Sequence, residues 1–252
     1  MKNKYNLLSK KEQEYDCLRV IATIFVVLGH CTYYKISTSY GGIDYSIYAD
    51  NGCIMLKCFI RITKVLYLFH MPLFMALSGA LFYKSVQKKR YDTFLQLIKN
   101  KGKKLLIPFL VVSTLYSFPL KLVSGYYSYS TNLMKDFLIG QLLIQGNTHL
   151  WYLVTLFFIF VLAYEIEKHF EGFEFIKILL FVLLNLISVW ISIKLLSNIL
   201  YYILWFYVGF YFEPNRILLN KKINICACLY MICMIIGMYF FYHISVLSGI
   251  LF

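Results

Sequence analysis

Cys17-Leu-Arg-Val-Ile-Ala-Thr-Ile-Phe-Val-Val-Leu-Gly-His30 is an apolar run broken by two basic side chains, Arg19 and His30, with ten residues between them. At ~100° and ~1.5 Å per residue, eleven steps rotate a helix by ~1100°, three turns plus ~20°, and advance it by ~16 Å. Arg19 and His30 therefore share one face. Basic groups inside an apolar helix of membrane length are costly, and where they occur they mark a pathway or a reaction centre. Each also has an ordinary reading. Arg19 can be a snorkelling anchor paired with Asp16, three residues earlier, and His30 can be a histidine hydrogen-bonded between helices. The residues alone leave both readings open.

The composition around this segment excludes a soluble domain. Of 252 residues, 60% are hydrophobic, 19% aromatic and only 15% charged, and the mean hydropathy is +0.67. That is the composition of a polytopic membrane protein. The formal charge of +13 comes from lysines and arginines set in blocks between apolar runs, as in membrane-flanking loops. Anionic lipid headgroups and anionic small molecules are the expected partners, and nucleic acid is not. No small-residue cleavage site follows the first apolar run, which is read as a retained helix rather than a signal peptide. Most of the seven cysteines lie in apolar stretches as small hydrophobes. Cys53 and Cys58 fall in an outer loop and can pair, which spacing alone does not decide. No Cys or His cluster has metal-ligand spacing, so no metal is predicted.

A spanning helix needs ~20 mostly apolar residues. Seven segments qualify, roughly residues 17–35, 61–83, 105–123, 150–166, 177–194, 198–212 and 223–243, giving an all-α transmembrane bundle in one domain over residues 1–252. The connection from Ser37 to Lys57 is polar and turn-rich. The loop from Lys84 to Lys104 holds eight cations (Lys84, Lys88, Lys89, Arg90, Lys99, Lys101, Lys103, Lys104) against Asp92. By the positive-inside rule that loop is cytoplasmic. With the N-terminus inside, the cytoplasmic parts hold five cations through Arg19, these eight, Lys168 and Lys177, then Arg216, Lys221 and Lys222: about 18 of the 25 present. Residues 133–147, which include Lys135, Asp136 and Gln141, read as an interfacial or re-entrant piece outside. The chain stops at Ser-Gly-Ile-Leu-Phe252 without the polar tail that follows a last span, as a truncated product would.

On this topology Arg19 lies at the inner mouth of the first helix, with His30 beyond the midplane. His70, on the antiparallel second span, reaches a similar depth. Pro72 removes a backbone donor two residues later, which suggests polar backbone and a cavity near midplane.

Four motifs in order resemble the membrane acyltransferase-3 family, bacterial enzymes that O-acylate surface sugars, and especially its fucose 4-O-acetylase-like members. They are Tyr15-Asp-Cys-Leu-Arg-Val-Ile-Ala22, with the family's arginine, ten residues and histidine at Arg19 and His30; Phe69-His-Met-Pro-Leu-Phe74 with Leu77-Ser-Gly79; Lys103-Lys-Leu-Leu-Ile-Pro108; and His149-Leu-Trp-Tyr-Leu153. Together they cover residues 15–153. Two departures stand out. Lys104 replaces the usual arginine, keeping the charge but losing the planar fork that grips phosphate in two places. The family also commonly has about ten spans.

The resemblance implies transfer of an acyl group, acetyl in the first instance, from cytoplasmic acyl-CoA to a hydroxyl of a cell-envelope carbohydrate, at the cell membrane. Acetyl-CoA is a co-substrate, and no cofactor is permanently bound. Arg19, Lys103 and Lys104 are expected to hold the donor phosphates. His30 is expected to act as general base, because an imidazole titrates near neutrality; His30 as transient acyl carrier is the chemical alternative. Ser78 is a further nucleophile candidate or a close-packing serine beside Gly79. His70 is expected to orient the acceptor, pair with His30 or hydrogen-bond backbone freed by Pro72. His149 and Trp151 are a sugar-stacking face or interfacial anchors. The rival readings are a non-catalytic relative in polysaccharide export and an inactive truncated product.

Overall fold

A computed structural model describes residues 2–31, 35–48, 54–127, 132–142, 144, 150–170 and 172–219. The seventh apolar segment, His149, Cys53 and the chain end lie outside the described residues. The chain forms two compact units, Met1–Phe210 and Tyr211–Phe252.

The described residues are mostly helical, as the apolar periodicity predicts. In chain order they are α1 (Lys2–His30), a hairpin of β1 (Lys35–Thr38) and β2 (Gly41–Asp44), α2 (Ile54–Gln87), α3 (Phe94–Val123), a short helical piece over Leu133–Leu142, α4 (Trp151–His169), α5 (Glu174–Ile187) and α6 (Lys194–Leu219). Among the described residues two helices, Phe94–Val123 and Lys194–Pro214, are long and apolar enough to cross a membrane. Only 11% of the most apolar window of α3 is buried, so its apolar side chains face outward. A core helix of a soluble protein would bury them.

Three departures from the sequence reading have local causes. The turn-rich connection after α1 is not wholly irregular: β1 and β2 pair antiparallel, with Thr38 opposite Gly41 across a two-residue turn. Lys35 and Asp44 close its open end at 2.9 Å. The hydrogen bond from Lys35, and then those from Ser46, hold the Asp44 carboxyl well below the usual carboxylate range. The second departure is that α3 begins well before residue 105. Thr93, extended, accepts from the Gln96 amide and caps the N-terminus, while the Asp92 amide donates to Gln96 Oε1 at 2.9 Å. The third is that α3 is not uniformly α-helical. It widens to π-helix over Gly102–Leu106 and Ser113–Ser117, each time just before a proline, Pro108 or Pro119. A proline lacks the amide donor, and its ring clashes with the carbonyl four residues back. The wider turn lets the Ile107 amide reach Gly102 and the Phe118 amide reach Ser113.

The core gathers on α2. Fully buried Phe82 meets Phe160 of α4 at 5.4 Å and Phe206 of α6 at 5.8 Å, ring centre to ring centre. Two glycines let α2 and α6 touch backbone to backbone. A Cβ on Gly79 would stand 1.9 Å from the Phe206 carbonyl oxygen, and one on Gly209 would stand 1.7 Å from that of Ala76. Close approach through small residues is how apolar helices associate where hydrophobic exclusion from water gives no drive. On the other face of α2, Phe69 meets Phe25 of α1 edge to face at 5.5 Å.

Candidate active site

The cationic face predicted on the first apolar run borders a cavity. α1, α2, the turn after α2, the start of α3 and α4 enclose about 670 Å³, within the range of small-molecule sites. Among the described lining residues are six basic side chains, Arg19, Lys84, Lys88, Arg90, Lys101 and Lys104, and one carboxylate, Asp16.

Four of the six are positioned by identified surroundings. The Arg19 guanidinium donates to Asp16 Oδ1 at 2.8 Å, which leaves most of its five N–H donors for a ligand. Lys84 Nζ stands 4.0 Å from the Tyr15 ring centre, and Lys101 Nζ stands 3.4 Å from that of Phe160. The face of an aromatic ring attracts a basic group set over it. Arg90 and Tyr91 come from the turn between α2 and α3, where Lys89 takes a left-handed φ of 45°. Burial pushes the Tyr91 phenol up, opposed by the charge of Arg90 and a hydrogen bond with Ser85, so this wall stays neutral at physiological pH. Clustered like charge in a part-buried cavity favours an anionic occupant.

The other end of the cavity is apolar and hydroxyl-bearing. Ser78 of α2 and Tyr152 of α4 meet there, hydroxyl to hydroxyl, at 3.2 Å. Phe74 and Tyr152 pack ring on ring, with centres 5.8 Å apart. On α1 the lining residues Asp16, Arg19 and Thr23 fall on one face. Because α1 continues unbroken to His30, that face carries on to His30, seven residues and ~10 Å beyond Thr23. On α2 the lining residues Phe74, Leu77, Ser78 and Leu81 share a face with His70, one turn beyond Phe74. His30 and His70 thus lie past the same end of the cavity on its two longest walls.

His70 is buried, at 1% exposure, and its Nδ1 lies 3.1 Å from the Leu66 carbonyl oxygen. A carbonyl only accepts, so Nδ1 carries the proton. In the neutral ring Nε2 is then the basic nitrogen. This backbone bond differs from the one expected after Pro72: the carbonyl that Pro72 deprives of a donor is that of Leu68, and His70 uses Leu66.

The remaining predicted residues separate. Both lysines are exposed, but Lys104 lines the cavity and Lys103 does not. Trp151, the first residue of α4, packs its ring 5.1 Å from that of Tyr202 and is not a lining residue; its neighbour Tyr152 is. The sequence reading placed Lys84, Lys88, Arg90 and Lys101 in a basic loop without choosing among them. It missed Tyr15, Tyr91 and Tyr152 as walls. Tyr15 and Tyr152 stand inside the first and fourth motifs, the signal that points to them. Among the described residues, no three His, Cys, Asp or Glu side chains group to hold a metal ion.

No curated protein and no solved structure significantly matches the chain. A family model does: Acyl_transf_3, described as an acyltransferase domain, matches residues 12–252. The match contains every wall of the cavity and both histidines beyond it, and the chain belongs to this membrane-associated acyltransferase family.

Proposed function

We propose that the protein is a multi-pass cell-membrane O-acyltransferase. It moves an acetyl group from cytoplasmic acetyl-CoA to a hydroxyl of a cell-envelope carbohydrate. The observation that carries this reading is the convergence of six basic side chains on one cavity, along whose α1 wall the helix face runs on to His30. In this reading the N-terminus is cytoplasmic, seven helices span the bilayer, and the cavity opens to the cytoplasm. The distribution of lysine and arginine between connections supports that orientation.

The donor phosphates rest on Arg19, Lys104 and the neighbouring lysines. The flexible arm runs past Ser78 and Tyr152 toward the histidines. His30, as base, takes the proton of the acceptor hydroxyl while the oxygen attacks the thioester carbonyl. The tetrahedral intermediate collapses as the C–S bond breaks, and the imidazolium returns its proton to the departing CoA thiolate. One ester forms, one thioester is lost, and His30 ends neutral. His70, with Nε2 basic, orients the acceptor from the facing wall.

Release of CoA from labelled acetyl-CoA, in membranes holding the native chain or His30→Ala, tests the proposal. Turnover by the native chain that falls at least a hundredfold in the variant is expected. Equal turnover would favour a non-catalytic relative.

A further inference from the structure

A second cavity, about 400 Å³, shares a wall with the first: Arg90 and Tyr91 line both. It is built from the end of α2, the turn that follows and the end of α4. Its chemistry differs from that of its neighbour. Against Lys89, Arg90 and Lys168 it sets two carboxylates, Asp92 and Glu167, and it adds the rings of Tyr91 and Tyr164. Six basic side chains facing one carboxylate suit phosphate. A near-balanced set with two phenol rings repels phosphate at its carboxylates and suits a flat, amine-bearing heterocycle.

The walls are held in place. The Thr93 cap and the Gln96 side chain fix Asp92 at the head of α3. Glu167 Oε1 accepts from buried Lys177 at 2.9 Å, which holds the carboxylate and leaves Oε2 to accept from a ligand. Tyr164 packs beside Phe94, ring centres 5.9 Å apart. The turn between the cavities carries the left-handed φ at Lys89, a conformation that a lysine holds only where its surroundings impose it.

We infer that this second cavity is the nucleobase subsite of the donor. A purine lies between Tyr91 and Tyr164, with its exocyclic amine donating to Asp92 or Glu167, while the phosphates cross Arg90 into the larger cavity. The inference rests on the acyl-CoA reading and adds where the nucleotide end goes. Arg90 then serves both compartments, as the cation at the junction of nucleoside and phosphates. The subsite gives the enzyme a reason to prefer CoA over its pantetheine arm alone.

The test uses the full chain purified in detergent, with acetyl-CoA and acetyl-pantetheine as rival donors. Tyr164→Leu removes one ring, and Val86→Trp fills the cavity from α2 without touching a charge. Each is expected to narrow the preference for acetyl-CoA, in kcat/KM, by about tenfold, the size of one lost base–ring stack. An unchanged preference in both variants, or equal losses with both donors, overturns the inference. Equilibrium binding of CoA and of pantetheine keeps the two readings apart. If the native chain turns over neither donor but binds CoA more tightly, and both variants erase that difference, the subsite stands and the transferase reading falls. If CoA and pantetheine bind the native chain alike, the subsite falls.

Discussion

Arg19 and Asp16, one turn apart on α1, form an ion pair at 2.8 Å, and both line the cationic cavity. The anchor pairing and the functional reading of Arg19 are therefore compatible. Asp16 orients the guanidinium and also takes part of its charge. Asp16→Asn is expected to lower the KM for acetyl-CoA about two- to fivefold, the scale of an exposed ion pair. Arg19→Met should raise it by more than that. Steady-state kinetics in membranes check both, and a KM that rises in Asp16→Asn would show that orientation outweighs the charge released.

The contact between α2 and α6 predicts intolerance at two glycines. The Cβ of Gly209→Ala would meet the Ala76 carbonyl oxygen at 1.7 Å, and helix backbone cannot yield as a side-chain tip can. A loss of about 1–3 kcal/mol is expected, read as a lower midpoint of thermal unfolding in detergent. Gly172→Ala, where nothing stands within 4 Å of the added carbon, reports the strain of its left-handed φ alone.

The hairpin is tied to the segment after α3 through Tyr126, and Tyr127 ties that segment to the helical piece over Leu133–Leu142. The Gly42 amide donates to the Tyr126 carbonyl at 3.0 Å, the Thr38 hydroxyl bonds the Tyr126 phenol, and the Tyr127 phenol donates to buried Asp136. Burial, and then that hydrogen bond and the Asp136 charge, push the Tyr127 phenol up. A raised folded-state pKa means that the contribution is complete below the ordinary tyrosine value of about 10. It fades as pH rises from there through the folded-state value. The phenolate absorbance lost on Tyr127→Phe should therefore titrate above that ordinary value, and Asp136→Asn should bring it back down. Titration at the ordinary value in the native chain would refute the coupling.

The sequence was most informative where one helix decides the outcome. The shared face of Arg19 and His30 needs only that α1 be unbroken, and it is. The face of α2 that joins His70 to Ser78 follows from the same periodicity. Where the answer depends on a second chain segment, the reading stopped. Lys103 and Lys104 look alike in sequence, but the turn of α3 ahead of Pro108 sets Lys104 on the cavity wall and Lys103 off it. The connection from Ser37 to Lys57 read as turn-rich because nothing local says that Tyr126, more than eighty positions away, holds the strand that Gly42 belongs to. The second cavity escaped for the same reason: its rings, Tyr91 and Tyr164, come from two elements that meet only in the fold.

The pH profile of kcat/KM for CoA release shows whether His30 moves the proton in acyl transfer. In the native chain a rise through a single ionisation is expected, its lower limb lost in His30→Gln together with at least a hundredfold of the rate. A His30→Gln enzyme that keeps the native rate and the same acid limb would contradict it.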